Sequence, residues 1–345
     1  MKRNQSLSVG IIGAGNIVSN VHLPVLLSRE EIAINWIADI NPIKAKSLAK
    51  AFKIPHINLP DNLSELPYTD IILLAIPYGT RERYYKAFKE RASAIYAEKP
   101  FAISLEEHNR ISSWFLPYKL SCGFQRRSWG PTLFTKHLIE NNIFGKVNKI
   151  KFGVGSPSAF VGSASFFSDI KQSGGGILFD VGIHGIDTML FCTSSVSLRL
   201  DNVKMIFEKE YDVHTKADFT LQNARDEQFN CEIMVSSLQD TINKLEFEFE
   251  NAIISFSLFD LQGKLNIKSL NETSKYRISD IVSFNTIYPI TPYQTFYDHW
   301  SCFIDGILKK EINRSSVINT LLTTELTERI YKEGRKEIQY SKAYS

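Results

Sequence analysis

Short apolar runs alternate with amphipathic segments along the first 120 residues. The apolar runs are predicted to be buried strands, and they cover residues 7–12, 33–40, 70–77, 94–98 and 118–124. Between them, apolar side chains recur at the three- and four-residue spacing of helices over 41–52, 80–91 and 104–115. Strands and helices that alternate in this way predict a doubly wound, parallel sheet, the Rossmann type of α/β fold.

The pattern changes after about residue 123. A helix is predicted over 130–141 and a strand over 147–155, and most of 196–270 suits strands, several with alternating apolar and polar side chains. Such alternation is typical of strands with one buried face and one face that is solvated or covered by a partner. Helical patterns near 294–309 and 316–333 close the chain. We therefore predict an α/β domain over 1–123 and, over 124–345, an α+β domain with a large, mostly antiparallel open sheet.

The composition fits a soluble globular protein with two domains. The 345 residues are 43% hydrophobic and 22% charged, and the formal net charge is +3. The chain has no dense block of Lys and Arg, so nothing in it indicates a nucleic-acid or anionic-membrane partner. No apolar stretch is long enough to span a membrane. The 4 cysteines are scattered without a CxxC pair, so we expect reduced thiols in a cytoplasmic protein.

The first predicted strand runs into the sequence VGIIGAGNIV. Gly13 and Gly15 occupy the first two positions of a GxGxxG loop, and Val18 occupies the third. The two glycines would allow a tight turn and let the backbone approach a pyrophosphate at the start of the following helix. We expect Gly13, Gly15, Asn16 and Ile17 to bind a dinucleotide; the alternative is a glycine-rich turn in an ordinary α/β protein.

Asp39 ends the second predicted strand and adds weight to the dinucleotide hypothesis. A carboxylate at this point can accept hydrogen bonds from the ribose hydroxyls of NAD and would repel the 2′-phosphate of NADP. No Arg adjoins Asp39, so NAD is the expected cofactor, with NADP left open. Alternatively, Asp39 caps the helix that starts at Pro42.

The motif AEKP follows another predicted parallel strand. Ligands of such sheets bind outside the carboxyl ends of the strands, so Glu98 and Lys99 are expected to face the cofactor, as are Ala75 and Pro77 after the third strand. Lys99 could hydrogen-bond a substrate hydroxyl and stabilise negative charge on its oxygen; the alternative is a surface lysine. Pro100 could carry a cis peptide bond that aims Lys99.

Three glycines precede an acid, an imidazole and a second acid in SGGGILFDVGIHGID. On a helix, Asp180, His184 and Asp187 share one face. His184 could carry a proton near neutral pH, Asp180 could orient the ring or bind substrate, and Asp187 could instead support the imidazole. The glycines suit a loop that passes close to a ligand. The alternatives are a core histidine, or a metal site, for which no other His shows a companion pattern.

Together with GFQRRSWGP and the two closing helices, these motifs make the chain similar to the Gfo/Idh/MocA oxidoreductase family. The resemblance implies an NAD(P)-binding Rossmann domain and a second domain that binds substrate and packs on another subunit through its open sheet, in a homodimer or homotetramer. It further implies hydride transfer between nicotinamide and a secondary alcohol of a sugar, a cyclitol or a sugar derivative, including nucleotide-linked sugars. A regulator of the same fold without catalytic activity is the alternative.

The resemblance also implies roles for particular residues. Lys99, Asp180 and His184 would form the catalytic group and contact substrate, with Gln125 and Arg126 beside them. Arg81 stands where the family frequently has His, which leaves the contacts at that point open. Separately, several basic side chains could meet a phosphate or could be solvated surface: Arg126, Arg127, Lys151 and Lys171.

Overall fold

The computed structural model describes residues 6–91, 93–157, 173–260, 263–270 and 291–336, together with the backbone of 339–340. Its internal contacts divide the chain into two compact units. The first consists of Met1–Ala102, Glu106–Gln125 and Phe296–Asn319. The second consists of Ile103–Leu105, Arg126–Thr295 and Thr320–Ser345.

The first unit is built on a parallel sheet. Its strands are β1 (Leu7–Ile12), β2 (Ile32–Ala38), β3 (Ile71–Leu74), β4 (Ala94–Ala97) and β5 (Leu120–Cys122), in the order β2-β1-β3-β4-β5. Every neighbouring pair is parallel, which confirms the Rossmann-type sheet. Three predicted strands run two or three residues past the observed ends of β2, β3 and β5, because the chain leaves the sheet there and turns into the loops at its carboxyl edge.

Helices connect these strands. They are α1 (Leu23–Leu27), α2 (Pro42–Phe52), α3 (Glu82–Lys89) and α4 (Leu105–Ser112). Asn41 caps α2, since its side chain accepts from the backbone N–H groups of Ile43 and Lys44.

A helix from the far end of the sequence completes the core of the first unit. It is α7, Pro292–Lys309, numbered after two helices of the second unit. From Phe296 onward it contributes buried apolar side chains to the core around β1 and β4. The Trp300 indole stacks on the Tyr96 ring with centroids 4.4 Å apart and planes 14° from parallel. The sequence pattern predicts this helix but not where it packs.

The second unit is built on a larger sheet. Its strands are β6 (Val147–Gly155), β7 (Ser195–Glu208), β8 (Tyr211–Asn223), β9 (Gln228–Ser236), β10 (Lys244–Phe249), β11 (Ala252–Phe256), β12 (Asn266–Ser269) and β13 (Gln339–Tyr340), in the order β12-β11-β10-β6-β9-β8-β7-β13. Only the pairs β6–β9 and β7–β13 are parallel among these strands. The prediction of a mostly antiparallel sheet is confirmed.

The two faces of this sheet differ in polarity. Inward-pointing side chains such as Phe152, Phe219 and Phe247 are fully buried, and they alternate with half-exposed Lys and Glu on the opposite face. The helices of the unit are α5 (Gly130–Glu140), α6 (Ile183–Thr193) and α8 (Leu321–Gly334). The alternation in the sequence therefore reflects one covered face and one polar face.

Candidate active site

The glycine loop follows β1 and lies against the end of β3. Gly13 has a φ of +111°, its N–H donates to the Ala38 carbonyl at 2.8 Å, and a Cβ placed on it would be 2.3 Å from the Ala75 carbonyl oxygen. Neither the backbone angle nor the space admits a side chain here. The fold therefore requires glycine at position 13, whether or not a ligand binds to the loop.

Gly15 has a different environment from Gly13. A Cβ on Gly15 would meet no heavy atom within 4 Å, and both Gly15 and Asn16 are exposed. The helical segment that leads into α1 starts directly afterwards, with the Val18 and Ser19 N–H groups donating to the Gly15 carbonyl at 3.0 and 3.1 Å. An open backbone at a helix start is the feature that a pyrophosphate requires, so this loop fits a dinucleotide.

Asp39 reaches the glycine loop. One carboxylate oxygen accepts the Ala14 N–H at 2.7 Å and the other accepts the Asn41 N–H at 2.8 Å. Because Asn41 caps α2, the interpretation of Asp39 as the helix cap is wrong. Each Asp39 oxygen retains a further lone pair, which a ribose hydroxyl could use.

Arg81 holds the turn that carries Lys99. The Lys99–Pro100 peptide is cis, and the carbonyls on both sides of Lys99 accept from the guanidinium of Arg81: Glu98 through Nη1, and Pro100 through Nη1 at 2.7 Å. The Nε of Arg81 donates to the Ile76 carbonyl at 2.8 Å. With 3% exposure, Arg81 thus ties the loop after β3 to the turn after β4.

The Glu98 carboxylate is held by a buried histidine. Trp300 Nε1 donates to His22 Nδ1 at 3.1 Å, and His22 Nε2 lies 2.8 Å from Glu98 Oε1. Since an indole N–H can only donate, His22 Nδ1 must accept, and the His22 proton sits on Nε2 and points at Glu98. Burial by itself would raise the pKa of Glu98, but the hydrogen bond from His22 and the charges of Arg81 and Lys99 outweigh it and lower that pKa.

Gly123 leaves room for this carboxylate, because a Cβ there would be 2.9 Å from the Glu98 oxygens. The sequence singled out Glu98 but not His22 or Trp300 as its partners. The available signal was a histidine within the apolar stretch after the glycine loop.

At two of the three positions ahead of Asp180, the fold itself requires glycine because no side chain would fit. A Cβ on Gly175 would be 2.1 Å from the Tyr331 hydroxyl, and one on Gly176 would be 2.2 Å from the Asp212 carbonyl oxygen. The expectation that the glycines make way for a ligand is therefore not needed at these two positions. They make way for Tyr331 and Asp212.

Asp212 fixes the glycine run. Its carboxylate is 1% exposed and accepts from the N–H groups of Gly176 at 2.8 Å and Leu178 at 2.9 Å, from the Thr215 hydroxyl at 3.0 Å, and from the Tyr331 hydroxyl. Burial raises the pKa of Asp212, against the effect of these donors. No residue near Asp212 in the sequence indicates this contact.

Asp180 and His184 lie at the start of α6. Asp180 is half-buried in a π-helical turn, Leu178–Gly182, and His184 is 8% exposed in the first turn of α6. The imidazole meets the Phe259 ring edge to face, with centroids 6.4 Å apart. Turns of π-helix are frequent at functional sites. Both residues belong to the second unit, and Lys99 belongs to the first.

Asp187 does not support the imidazole. Its carboxylate forms a bidentate pair with Arg127, at 2.9 Å to Nε and 2.6 Å to Nη2, and accepts from the Thr323 hydroxyl at 2.8 Å. Asp187 and Arg127 are 1% and 3% exposed. Arg127 is therefore a structural residue. It is neither a phosphate ligand nor part of the solvated surface, the two roles that the sequence left open for it.

The other basic residues that were candidates for a phosphate contact lie in different environments. Lys151 pairs with Glu248 on the polar face of the larger sheet. Arg126 lies over the rings of Trp129 and Phe259, at 5.0 and 6.0 Å from their centroids. Lys171 lies outside the described residues. Gln125 is half-buried in the short turn Gln125–Ser128 that precedes α5.

The described ranges contain no cluster of His, Cys, Asp and Glu that could hold a metal ion. Within the same ranges, no helix combines the length and the apolar character needed to cross a bilayer. The 4 cysteines form no disulfide.

The fold and the glycine loop define a dinucleotide-binding oxidoreductase class, and two family models match the chain. The model described as "Oxidoreductase family, NAD-binding Rossmann fold" matches residues 7–115, and the GFO/IDH/MocA C-terminal domain matches residues 133–254. The chain belongs to the Gfo/Idh/MocA oxidoreductase family, and its first unit carries the NAD-binding Rossmann fold.

Curated relatives and solved structures agree with this assignment. An uncharacterized oxidoreductase of Bacillus subtilis, YrbE, is 26% identical over 194 residues, 55% of each chain. The D-glucoside 3-dehydrogenase of Escherichia coli is 22% identical over 188 residues, 54% of this chain and 53% of that protein. The chain is thus matched to about half the length of each curated relative.

A solved structure covers nearly all of the chain. KijD10, a 3-ketoreductase from Actinomadura kijaniata in complex with NADP and TDP-benzene, superposes with a TM-score of 0.76 over 97% of this chain and 99% of that chain. The sequence identity is 15%, so this likeness shows a shared fold.

Proposed function

We propose that this protein transfers a hydride between a nicotinamide dinucleotide and a secondary alcohol of a sugar, a cyclitol or a sugar derivative. The observation that carries the proposal is the pairing of two features in the first unit. The open glycine loop follows β1 and the Arg81-held turn with Lys99 follows β4, both at the carboxyl edge of one parallel sheet. Ligands of such sheets bind outside this edge.

The substrate class rests on the relatives. The curated relative in E. coli is named as a glucoside dehydrogenase, and KijD10 is named as a 3-ketoreductase. Both names describe oxidation or reduction at a carbon that bears oxygen. Free, phosphorylated and nucleotide-linked forms of a polyol all belong to the proposed substrate class.

Three side chains would carry out the proton chemistry. NAD or NADP, when bound, accepts or supplies the hydride at C4 of its nicotinamide. In the oxidising direction, His184 removes the proton of the substrate hydroxyl, and it returns a proton in the reducing direction. Lys99 stabilises the developing negative charge on the substrate oxygen, and Asp180 holds a substrate hydroxyl or the imidazole. A positioned acid–base group accelerates such a step by roughly two to four powers of ten.

Asp39 supports a preference for NAD. Both of its oxygens face backbone N–H groups of the loops that would surround the adenosine ribose, and the next side chain, Ile40, is 88% exposed and uncharged. A 2′-phosphate would approach this carboxylate without a neighbouring Arg to balance it. We expect Asp39→Ser to narrow the ratio of kcat/KM for NAD over NADP by at least about tenfold, the effect of roughly 1.4 kcal/mol.

The test is a turnover screen with NAD and NADP against sugars, cyclitols, sugar phosphates and nucleotide sugars. Lys99→Met and His184→Ala should each lower kcat by at least about a hundredfold and leave the dissociation constant of the dinucleotide largely unchanged. Near-full activity in either variant would refute its assigned role. Dinucleotide binding without turnover on any compound would instead favour a regulator of the same fold.

The polar face of the larger sheet supports a proposed homo-oligomer. Half-exposed side chains there alternate in sign: Lys149 and Lys216 lie 3.1 and 3.7 Å from Glu232, and Lys244 lies 2.5 Å from Glu246. A face that carries both signs can be complementary to a second copy of itself across a two-fold axis. Light scattering at low and high salt should give a dimer or tetramer that the double change Lys149→Glu and Lys216→Glu dissociates.

A further inference from the structure

Arg126 and Arg127 adjoin in the sequence but differ in their partners. Arg127 is paired with Asp187 through two hydrogen bonds. The Arg126 side chain has neither a carboxylate partner nor a hydrogen bond among the described residues, and its Nε is buried without a partner. Of these two neighbouring guanidinium groups, Arg127 has a counter-charge and Arg126 has none among the described residues.

This arrangement is unfavourable for Arg126 in isolation. Removing a guanidinium from water costs free energy that an opposite charge normally offsets. The cost is visible in the titration of the group, because burial lowers the pKa of Arg126 to about 10. Arg126 remains protonated at neutral pH, so it carries a positive charge that no carboxylate in the described part of the chain balances.

Two aromatic rings pack against the Arg126 guanidinium. The Arg126 guanidinium lies over the rings of Trp129, at 5.0 Å, and Phe259, at 6.0 Å. Trp129 is 1% exposed and is held in turn by an edge contact with Phe256. Stacking on aromatic faces leaves the in-plane N–H groups of a guanidinium available to an acceptor.

The same aromatic ring connects Arg126 to the proposed proton carrier. Phe259 meets the His184 imidazole edge to face at 6.4 Å and lies beneath the Arg126 guanidinium. Arg126 and His184 therefore both adjoin one side chain, Phe259. A molecule bound beside His184 would lie near Arg126.

We propose that Arg126 binds an anionic group, a carboxylate or a phosphate, carried by the substrate. This inference rests on the proposed hydride transfer and narrows its substrate class to acidic or phosphorylated polyols. A planar guanidinium donates two parallel N–H groups to a carboxylate or phosphate, which gives both affinity and orientation. The anionic group would supply the counter-charge that Asp187 supplies to Arg127, and it would fix which hydroxyl faces His184.

The test compares neutral and anionic forms of one sugar. Glucose, glucuronate, glucose 6-phosphate and UDP-glucose are assayed with the NAD-loaded enzyme for kcat and KM, and their binding to the NADH-loaded protein is measured by calorimetry. The variants are Arg126→Met and Arg126→Lys. Arg199→Met, which removes the same charge from an exposed position of β7, 71% accessible, is the matched control.

We expect at least one anionic compound to bind more tightly than glucose in the wild type. Arg126→Met should raise its KM and dissociation constant roughly 10- to 100-fold, the range for a hydrogen bond to a charged group, with little change for glucose. Arg126→Lys should lose less, and Arg199→Met nothing. Comparison of glucuronate with the phosphates separates a carboxylate from a phosphate ligand.

Equal affinity for glucose and all three anionic compounds, equal effects of Arg126→Met on both classes, or no binding of any anionic compound would overturn the assignment. Failure of the proposed function has a different signature: the dinucleotide binds but no compound is turned over. In that case the calorimetric comparison still decides whether Arg126 binds an anion.

Discussion

The guanidinium of Arg81 donates to the carbonyl oxygen of Pro100 at 2.7 Å. The same side chain donates to the Ile76 and Glu98 carbonyls, so one buried residue holds the two loops that follow β3 and β4. An imidazole has at most two donors against the five of a guanidinium. A histidine at position 81 could therefore not bind all three carbonyls, whereas Arg81 does.

Removing the Arg81 guanidinium should weaken both the fold and the turn that carries Lys99. We expect Arg81→Met to lower the free energy of unfolding by about 3 kcal/mol, because three carbonyls lose a charged donor. Activity is measured as kcat at saturating dinucleotide. It should fall by more than the loss of folded protein explains. Arg81→Lys should recover part of both. Denaturant unfolding and initial rates measure the two effects.

Arg83→Met is the control for Arg81, since Arg83 lies two residues further along, is exposed and stacks on Tyr84. It should leave stability and kcat near the wild-type values. If Arg81→Met matches Arg83→Met in both measurements, the Arg81 hydrogen bonds do not hold the turn.

The two loop glycines should respond differently to the same substitution. Gly13→Ala places a Cβ 2.3 Å from the Ala75 carbonyl oxygen at a φ of +111°, so it should destabilise the protein by at least about 1–3 kcal/mol from backbone strain alone. Gly15→Ala meets no atom of the protein and should keep the wild-type melting temperature. It should nevertheless raise the dissociation constant of NADH, because the methyl group occupies the path of the pyrophosphate.

Thermal unfolding with and without NADH separates the two variants. Gly15→Ala that binds NADH as tightly as the wild type would mean that the dinucleotide does not pass over this loop. A Gly13→Ala protein with an unchanged melting temperature would contradict the close approach to Ala75.

Local features of the fold could be predicted from the sequence. The sequence patterns predict β1 and β6 with their observed bounds and most helices to within a few residues. The strand ends were less predictable, since Ala75–Pro77 continue the apolar run of β3 but bend out of the sheet. Apolar character predicts burial there, whereas the turn depends on Gly13 and Arg81.

Contacts between distant parts of the chain could not be predicted. The glycine run is fixed by Asp212, 36 residues from Gly176, and by Tyr331, 155 residues from it. Nothing in a single sequence distinguishes this aspartate and tyrosine from others. Likewise, the sequence shows Trp300 only as one aromatic residue of a closing helix, and its stacking on Tyr96 is visible only in the structure. The motif residues were recognisable, but the side chains that hold them were not.

Breaking the buried Arg127–Asp187 pair should destabilise the second unit without a specific catalytic effect. Either Arg127→Met or Asp187→Asn leaves one buried charge unpaired, which typically costs about 3–5 kcal/mol. The double change removes both charges and should cost less than the sum of the single changes. A double-mutant cycle by urea unfolding measures this coupling.

Asp187→Asn also tests the interpretation that Asp187 supports the His184 imidazole. The folded fraction of this variant should keep the wild-type pH profile of kcat, because the Asp187 oxygens bond Arg127 and Thr323. A profile displaced by a full pH unit would show that Asp187 acts through His184 after all.

His108 should make the first unit sensitive to acid. It is 1% exposed beside Phe101, and burial lowers its pKa to about 4, against the effect of the Val317 carbonyl. Below the unfolded-state pKa of about 6.5 the unfolded chain takes up a proton at His108 that the folded protein does not. Stability therefore falls as the pH falls from about 6.5 to 4, by up to about 3 kcal/mol from this residue.

The measurement is the unfolding free energy of wild type and His108→Gln between pH 4 and 8. Glutamine cannot titrate, so the unfolding free energy of the His108→Gln variant should fall less steeply below pH 6.5 than that of the wild type. This holds even if imperfect packing makes the variant less stable at pH 8. Burial also lowers the pKa of His214, so some acid sensitivity should remain in the variant. His56→Gln, at an exposed position, should follow the wild-type curve. Parallel curves for wild type and His108→Gln would mean that His108 takes up its proton as readily in the folded protein as in the unfolded chain, and that its burial does not exclude the charge.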